Sequence, residues 1–236
     1  MLREALYTCV RGAIKTYARL MLDMDVAWHE EPASGAKIIA PNHPTIIDPF
    51  LVAAMFPGEP RVLIKETIFN VPVGGTLLRL LEQVPVVSGH GRIAYETTKW
   101  LLAEGHTVIV FPEGNISPPE GGFCKPHTGV VRLAMETGAP VVPLGIHLDR
   151  SRIHTTEADV GGEPELVTWY SRGPYAMTVG GGLRMTGEVA DRTHVRALSE
   201  QLMDQIGQLV VESALRMHPA TVHDVGRVRV PKLDVP

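Results

Sequence analysis

Short apolar runs alternate with amphipathic stretches of helical length through the middle of the chain, and this alternation constrains the fold most strongly. Strands are predicted at residues 37–40, 61–64, 84–87, 107–111 and 141–147. Helices are predicted at residues 49–55, 76–82, 94–104 and 128–137. Because strands joined by helices run parallel and need helical cover, the pattern predicts an α/β fold with a mostly parallel sheet flanked by helices.

The C-terminal third departs from this rhythm. Residues 150–164 are polar and Gly-rich, which predicts an irregular segment, and two strand-like runs follow at 166–170 and 175–179. No helix separates these runs, so we expect antiparallel additions and a mixed sheet. A last helix is predicted at 195–216. The predicted organisation is an N-terminal helix at 1–22, a single domain at 23–216 and an extended tail at 217–236.

The charge balance narrows the range of partners. The chain has 22 Lys and Arg against 26 Asp and Glu, which gives a net charge of −4. An acidic excess argues against a nucleic-acid partner and against bulk electrostatic attraction to anionic lipid. Any membrane contact should therefore be local and largely apolar.

The N-terminal segment repeats apolar side chains near helical spacing. Basic residues stand between them at Arg3, Arg11, Lys15 and Arg19. This predicts an amphipathic helix, for which packing on its own domain is the simpler interpretation and interfacial membrane binding is the alternative. The sequence contains neither a transmembrane-length apolar run nor a secretory signal pattern. We expect a cytoplasmic protein held peripherally at the inner face of the membrane.

Cysteine usage indicates neither a disulfide framework nor a metal site. Cys9 and Cys124 are far apart and lack the CxxC spacing of zinc ligands. A reducing compartment fits this pattern, and we expect no metal and no bound cofactor.

The segment Asn42–His43–Pro44–Thr45–Ile46–Ile47–Asp48–Pro49 follows the strand at 37–40 directly. The carboxyl ends of such strands are where α/β sheets bind ligands. A histidine there can remove a proton from a hydroxyl, and a carboxylate can hold its other ring nitrogen as the donor. Five helical positions rotate by about 140°, so His43 and Asp48 need a turn between them. The alternative is that Asp48 only caps a helix whose first residue is Pro49.

The same five-residue spacing recurs at His154 and Asp159, which shows that spacing alone proves little. We interpret the second copy as coincidental because it has neither a preceding apolar strand nor a following helix cap. A second chemical segment, Phe111–Pro112–Glu113–Gly114, follows the strand at 107–111 and should open at the same sheet edge. Glu113 could accept a hydrogen bond from an acceptor hydroxyl, and Gly114 would allow close approach. A structural turn with a solvated Glu113 is the alternative.

Taken together, these residues resemble the glycerolipid acyltransferase family typified by bacterial 1-acylglycerol-3-phosphate acyltransferases. The first motif corresponds to Asn42, His43 and Asp48, and the phenylalanine-proline-glutamate-glycine motif corresponds to Phe111 through Gly114. The resemblance extends over residues 37–146, and its weaker matches are Lys65, Pro72, Gly74, Val142 and Pro143.

The resemblance implies transfer of a fatty acyl group from acyl-CoA or acyl carrier protein to the hydroxyl of lysophosphatidate or a related lyso-lipid. His43 would be the general base, Asp48 would orient it, and Glu113 with Gly114 would bind the acceptor. A nucleophile and base formed by Cys124 and His127 is disfavoured, because cysteine is commonly just a small buried residue. The rival functions are an acyl thioesterase, in which His43 activates water, and a non-catalytic lipid-binding module.

Two departures from the family affect the acceptor. The family commonly has an arginine where this chain has Ile116, and the arginine of its second motif is displaced to Arg92. Arginine is the usual phosphate ligand because its planar fork makes paired charge-assisted hydrogen bonds. Either the phosphate site is rebuilt, or the acceptor lacks a phosphate in the usual place. The cations that could rebuild it are Lys65, Arg92, Lys125 and His127.

Overall fold

The computed structural model describes residues 2–31 and 33–217, and all structural statements refer to this part of the chain. The helices are α1 (Leu2–Met21), α2 (Asp48–Met55), α3 (Gly74–Leu80), α4 (Gly91–Ala103), α5 (Gly129–Thr137) and α6 (Arg192–Met217). The strands are β1 (Leu22–Trp28), β2 (Lys37–Pro41), β3 (Arg61–Lys65), β4 (Val84–Val86), β5 (Thr107–Ile109), β6 (Val141–Leu148), β7 (His154–Val160), β8 (Glu163–Trp169) and β9 (Gly173–Val179). Two short 3-10 helices lie at Glu66–Asn70 and Arg150–Arg152.

Seven strands form one mixed sheet in the order β1-β9-β6-β2-β5-β3-β4. The five strands from β6 to β4 run parallel, β9 pairs antiparallel with β6, and β1 pairs parallel with β9. This confirms the predicted single α/β domain with a mixed, mostly parallel sheet. Its parallel strands direct their carboxyl ends to one edge, where the loops after β2 and β5 meet.

The central strand β2 divides the core into two layers. Ile38 and Ile39 are both fully buried, and because successive strand residues point to opposite faces they belong to different apolar clusters. Ile39 packs with residues of α1 and α2, whereas Ile38 packs with residues of α4, α5 and α6. Burying each side chain contributes roughly 1.5–3 kcal/mol. The loop after β2 is therefore anchored from both faces of the sheet.

Strand β1 is an element that the sequence patterns did not predict. It follows α1 without a break and carries Asp23 and Asp25, which are depleted in strands and obscure its alternation. The strand lies at the sheet edge, where Asp25 accepts a hydrogen bond of 2.5 Å from Arg216 of α6. An edge position tolerates such charges because one face remains open to water.

The prediction that 150–164 is irregular was wrong. Residues 154–160 form β7, which pairs with β8 as a separate two-stranded sheet. The strand escaped prediction because most of its side chains are polar and exposed, so it shows no apolar face. Its turn is Gly161–Gly162, with φ values of 63° and 96°, a conformation suited to two-residue hairpins.

The other predicted elements are confirmed with small shifts at their ends. The predicted tail at 217–236 begins inside α6 at Met217, and residues 218–236 lie outside the described residues. Within the described chain, no helix combines the length and apolar character needed to cross a bilayer.

Candidate functional site

The loop after β2 starts with Asn42, whose side chain forms a pair of hydrogen bonds like those between neighbouring strands. Asn42 is buried, its Nδ2 donates to the Ile146 carbonyl at 3.0 Å, and its Oδ1 accepts from the Ile146 amide at 2.7 Å. This two-way contact ties the end of β2 to β6 immediately before His43. The backbone can then turn away from the sheet while the amide and carbonyl of Ile146 keep hydrogen-bond partners.

His43 and Asp48 are brought together by the turn at residues 44–47. His43 Nδ1 lies 3.1 Å from Asp48 Oδ2. The aspartate is fully buried, whereas the histidine side chain is 15% exposed. Asp48 is the first residue of α2 and does not cap it, because the N-cap is Ile47 and no side chain bonds to the helix end there. The capping interpretation of Asp48 was therefore wrong.

The Asp48 carboxylate receives three further hydrogen bonds. Oδ2 accepts from the Thr45 amide at 2.6 Å, and Oδ1 accepts from Thr45 Oγ1 and from the Tyr175 hydroxyl, both at 2.7 Å. Burial and the negative charge of Asp48 hold the pKa of Tyr175 well above its usual value, so this hydroxyl remains a donor. These donors satisfy both oxygens of the buried carboxylate.

Sequence reasoning missed Thr45 and Tyr175 as site residues. Thr45 lies inside the motif, but a threonine in a turn has many ordinary roles. Tyr175 lies 127 residues from Asp48 along the chain, on β9, so no local pattern could connect them. Only the placement of β9 beside β6 brings it to the site.

The His43 ring is held by stacking as well as by its hydrogen bond. It lies against Phe111, with ring centroids 4.1 Å apart and an interplanar angle of 27°. Because ionised Asp48 can only accept, His43 Nδ1 is the donor and Nε2 carries the free lone pair of the neutral ring. This assigns the tautomer from the network.

Glu113 joins the two motif loops from a buried position. Its Oε1 accepts from the His43 amide at 3.1 Å and from Ser117 Oγ at 2.7 Å, and its Oε2 accepts from the Cys124 amide at 2.7 Å. The Ser117 amide donates back to the His43 carbonyl at 2.7 Å. Burial raises the pKa of Glu113, although these hydrogen bonds oppose the rise. The carboxylate is only 1% exposed, so the solvated interpretation of Glu113 was wrong.

Gly114 is needed for two geometric reasons. Its φ is +66°, a conformation that favours glycine, and an added Cβ would lie 2.6 Å from the His127 ring. The His127 amide also donates to the Pro112 carbonyl at 2.8 Å. The space beside Gly114 is therefore occupied by the His127 ring. Acceptor binding by Glu113 and Gly114 stays a prediction.

The predicted acceptor cations are spread around the site. Lys65 Nζ donates to Glu165 on β8 at 2.6 Å, Arg92 is exposed in the first turn of α4, and Lys125 is exposed beside Cys124. In the described chain, none of these three forms a hydrogen bond or ion pair with His43 or Asp48. Their role in binding the acceptor stays a prediction.

Cys124 is poorly suited to act as a nucleophile. Burial and the charge of Glu113 raise the pKa of its thiol, which disfavours the reactive thiolate. The thiol also lies 3.7 Å from the Ile116 carbonyl, as a weak donor. Among the described residues, no three or more His, Cys, Asp or Glu side chains are grouped to hold a metal ion.

Arg150 is a further cation near the motif loops that sequence reasoning missed. Its Nη1 donates to the carbonyls of Pro118 at 2.9 Å and Pro119 at 3.0 Å, and so braces the segment after Ser117. Burial lowers the pKa of Arg150, and the charge of Glu113 opposes that effect. The contact fixes the loop between β5 and α5 from the side of the 3-10 helix at 150–152.

Comparison with known proteins gives the family. The acyltransferase family model matches residues 26–147, which is more than half of the chain and includes both motif loops. The chain belongs to the acyltransferase family. A 1-acyl-sn-glycerol-3-phosphate acyltransferase of Cocos nucifera is 27% identical over 114 residues. That match covers 45% of this chain and only 37% of the coconut protein.

A solved structure shares the acyltransferase-family fold. The 1-acyl-sn-glycerophosphate (LPA) acyltransferase PlsC of Thermotoga maritima superposes with a TM-score of 0.64 at 20% identity. The superposition covers 88% of this chain and 80% of that protein. At this identity, the likeness concerns the fold.

Proposed function

We propose that this acyltransferase-family chain transfers a fatty acyl group from a thioester donor to the hydroxyl of lysophosphatidate or a related lyso-lipid. The donor is acyl-CoA or an acyl carrier protein. The observation that carries the proposal is the contact between His43 Nδ1 and buried Asp48, which leaves Nε2 as a base at the sheet edge. Both named relatives are described as acyltransferases of lysophosphatidate, which supports this acceptor class.

The proposed reaction requires one base and no covalent enzyme intermediate. His43 Nε2 accepts the proton of the acceptor hydroxyl as that oxygen attacks the thioester carbonyl. The new C–O bond forms and the C–S bond breaks, and the leaving thiolate takes the proton back from the imidazolium. Asp48 stabilises the imidazolium by charge and holds the ring tautomer, while Phe111 supports the ring plane.

An apolar cavity beside α2 supports a lipid substrate. It has a volume of about 50 Å³ and lies between α1, α2, α3 and β3. Its walls include Ile14, Phe50, Ala53, Ile64 and Leu78. Pro49 lines it together with Phe50, and both lie in the first turn of α2, the helix that begins with Asp48. Part of an acyl chain could be held there.

The cations near the motif loops differ in their availability to an acceptor phosphate. Ile116 stands where the family commonly has arginine, and Lys65 is already paired with Glu165. Arg92 and Lys125 are exposed and could still contact a phosphate. An acceptor without phosphate in the usual place is the alternative.

We propose a peripheral location at the cytoplasmic face of the membrane, with contact through the end of the N-terminal helix. Helix α1 packs on its own domain through buried Tyr7 and Ala18. Its end still exposes Leu20 and Met21, at 75% and 42%. We propose that these side chains contact lipid, and liposome flotation that is unchanged after deletion of residues 1–21 would contradict this.

The test is an acceptor screen with acyl-CoA and acyl carrier protein donors, read by mass spectrometry and by release of the free thiol. Product with lysophosphatidate or another lyso-lipid, lost in His43→Ala with the fold retained, is the expected result. Thiol release without any acceptor would instead support a thioesterase. Lipid binding without release would support a binding module, and full activity of His43→Ala would overturn the mechanism.

A further inference from the structure

A groove lined by three arginines lies on the sheet face opposite the apolar cavity. Its volume is about 620 Å³, within the size range of small-molecule sites. Arg132 comes from α5, and Arg192 and Arg196 come from the first turns of α6. Thr128, Val189, Ala190 and Val195 complete its walls. Such a concentration of positive charge is notable in a chain whose net charge is −4.

Neighbouring groups only partly offset these arginines: the hydrogen bond from Lys99 and, to a lesser degree, the charge of Arg132 lower the pKa of Glu136, and the Arg132 guanidinium lies 5.6 Å from the centroid of the Tyr95 ring. In the described part of the chain, none of Arg132, Arg192 and Arg196 forms an ion pair with Asp or Glu. Glu136 is paired with Lys99 at 2.7 Å, and Asp191 accepts from the His194 amide at 2.9 Å. Three like charges around one groove repel each other, and a bound anion would relieve that repulsion.

The backbone adds positive potential at the same place. Helix α5 begins at the groove, and the positive end of a helix dipole favours anions, whereas the N-terminus of α6 is already capped by the Asp191 carboxylate. The N-cap of α5, Thr128, makes no side-chain hydrogen bond to its helix end. The amides of that first turn are therefore not satisfied by a side-chain cap.

The groove shares a wall with the catalytic loop. Arg196 Nη1 donates to the Pro126 carbonyl at 3.0 Å, on the groove side of that segment. The next residue, His127, bonds through its amide to Pro112 and places its ring against Gly114. The groove thus adjoins the loop that carries Glu113, while the apolar cavity lies on the other face of the sheet.

We infer that this arginine groove binds the adenosine 3′,5′-bisphosphate portion of an acyl-CoA donor, an inference that rests on the proposed acyl-transfer function. Coenzyme A has three phosphate groups at one end and its thioester at the end of a long flexible arm. Residues 126–127 connect the groove to the Glu113 segment, so an arm that leaves the groove along this loop would carry the thioester towards the motif loops. A concave site of this volume fits a nucleotide better than the flatter surface of a carrier protein.

Isothermal titration calorimetry of the full chain with free CoA and with adenosine 3′,5′-bisphosphate tests the inference directly. Arg192→Gln is the main variant because this side chain is exposed, and Arg132→Gln is the second. Each should raise the Kd for both ligands about fivefold to tenfold, through loss of one charged contact. Arg172→Gln removes an exposed arginine outside the groove and should leave both Kd values unchanged.

Kinetics separate this inference from the proposed function. The groove variants should raise the KM for acyl-CoA by the same factor, without a matching change in kcat or in the KM for the lyso-lipid. Equal binding of both ligands to the wild type and to both variants would overturn the inference, as would equally tight binding of inorganic phosphate. Turnover with acyl carrier protein and no CoA binding would also overturn it, with the proposed function intact. Groove-dependent CoA binding without acyl transfer would refute the proposed function and leave the groove assignment standing.

Discussion

The Tyr175 hydroxyl donates to Asp48 Oδ1 over 2.7 Å and thereby links the last strand of the sheet to the loop that carries His43. Both side chains are fully buried. The orientation of the proposed catalytic pair is therefore set jointly by the loop after β2 and by β9, two strands that are not neighbours in the sheet.

Replacing Tyr175 by Phe should lower kcat about tenfold with little change in KM, because Asp48 loses a donor that orients it and stabilises its charge. The free energy of unfolding should fall by about 1–3 kcal/mol, the cost of an unmet buried acceptor. Tyr170→Phe is the matched control, since that buried hydroxyl bonds to the Pro174 carbonyl at 2.6 Å. Equal kcat losses in the two variants would contradict an orienting role for Tyr175.

Asp48→Asn should reduce kcat by about 10²–10⁴, the range in which loss of an orienting carboxylate acts on a catalytic histidine. The amide retains the shape of the side chain but loses the charge that stabilises the imidazolium. Asp159→Asn is the control, because Asp159 has the same spacing from His154 but lies on a strand and accepts from the Gly162 amide at 2.8 Å. Steady-state kinetics of both variants should show a loss only at Asp48.

Gly114→Ala should destabilise the protein more than Gly89→Ala. Both glycines have positive φ, at 66° and 73°, so both variants incur the backbone cost of about 1 kcal/mol. An added Cβ at Gly114 also meets the His127 ring, whereas at Gly89 it meets nothing within 4 Å. Urea denaturation should show the larger loss in the free energy of unfolding for Gly114→Ala. Adding His127→Ala in a double variant should remove the difference from Gly89→Ala.

The pH dependence of stability should carry a contribution from Glu113. Its pKa is raised in the folded protein by burial, so the native state holds its proton more tightly than the unfolded chain does. The stabilisation by protonated Glu113 is complete below the ordinary glutamate pKa, and it is lost as the pH rises through the raised pKa of Glu113 in the folded protein. The stability of wild type relative to Glu113→Gln should therefore decline over this window, as followed by urea denaturation. A difference that grows with pH would contradict the raised pKa.

Most of the fold could be predicted because the parallel strands are short apolar runs separated by amphipathic helices. The runs at β2 and β6 bury nearly every side chain, which leaves a clear signal. Strands β1 and β7 could not be found in this way, because their exposed polar residues break the apolar alternation. Edge and hairpin strands are stabilised by pairing with a neighbour, and that information is not local.

Some site residues can be recognised from the local sequence, whereas others are identified only by contacts between distant parts of the chain. His43 and Asp48 were recognisable because each lies at the end of a predicted element, and Glu113 and Gly114 follow another strand. Tyr175 gave no signal, since only the antiparallel placement of β9 brings it to Asp48. The arginine groove likewise joins α5 to α6 across about sixty residues of chain.

The two oxygens of Glu113 have a consequence for how the site fluctuates. They accept from the His43 amide in the loop after β2 and from the Cys124 amide in the loop after β5, so one carboxylate supplies a buried acceptor to both loops. Hydrogen exchange at both amides should therefore depend on the Glu113 side chain. One buried side chain thus ties together two loops whose contacting residues lie seventy positions apart in the sequence.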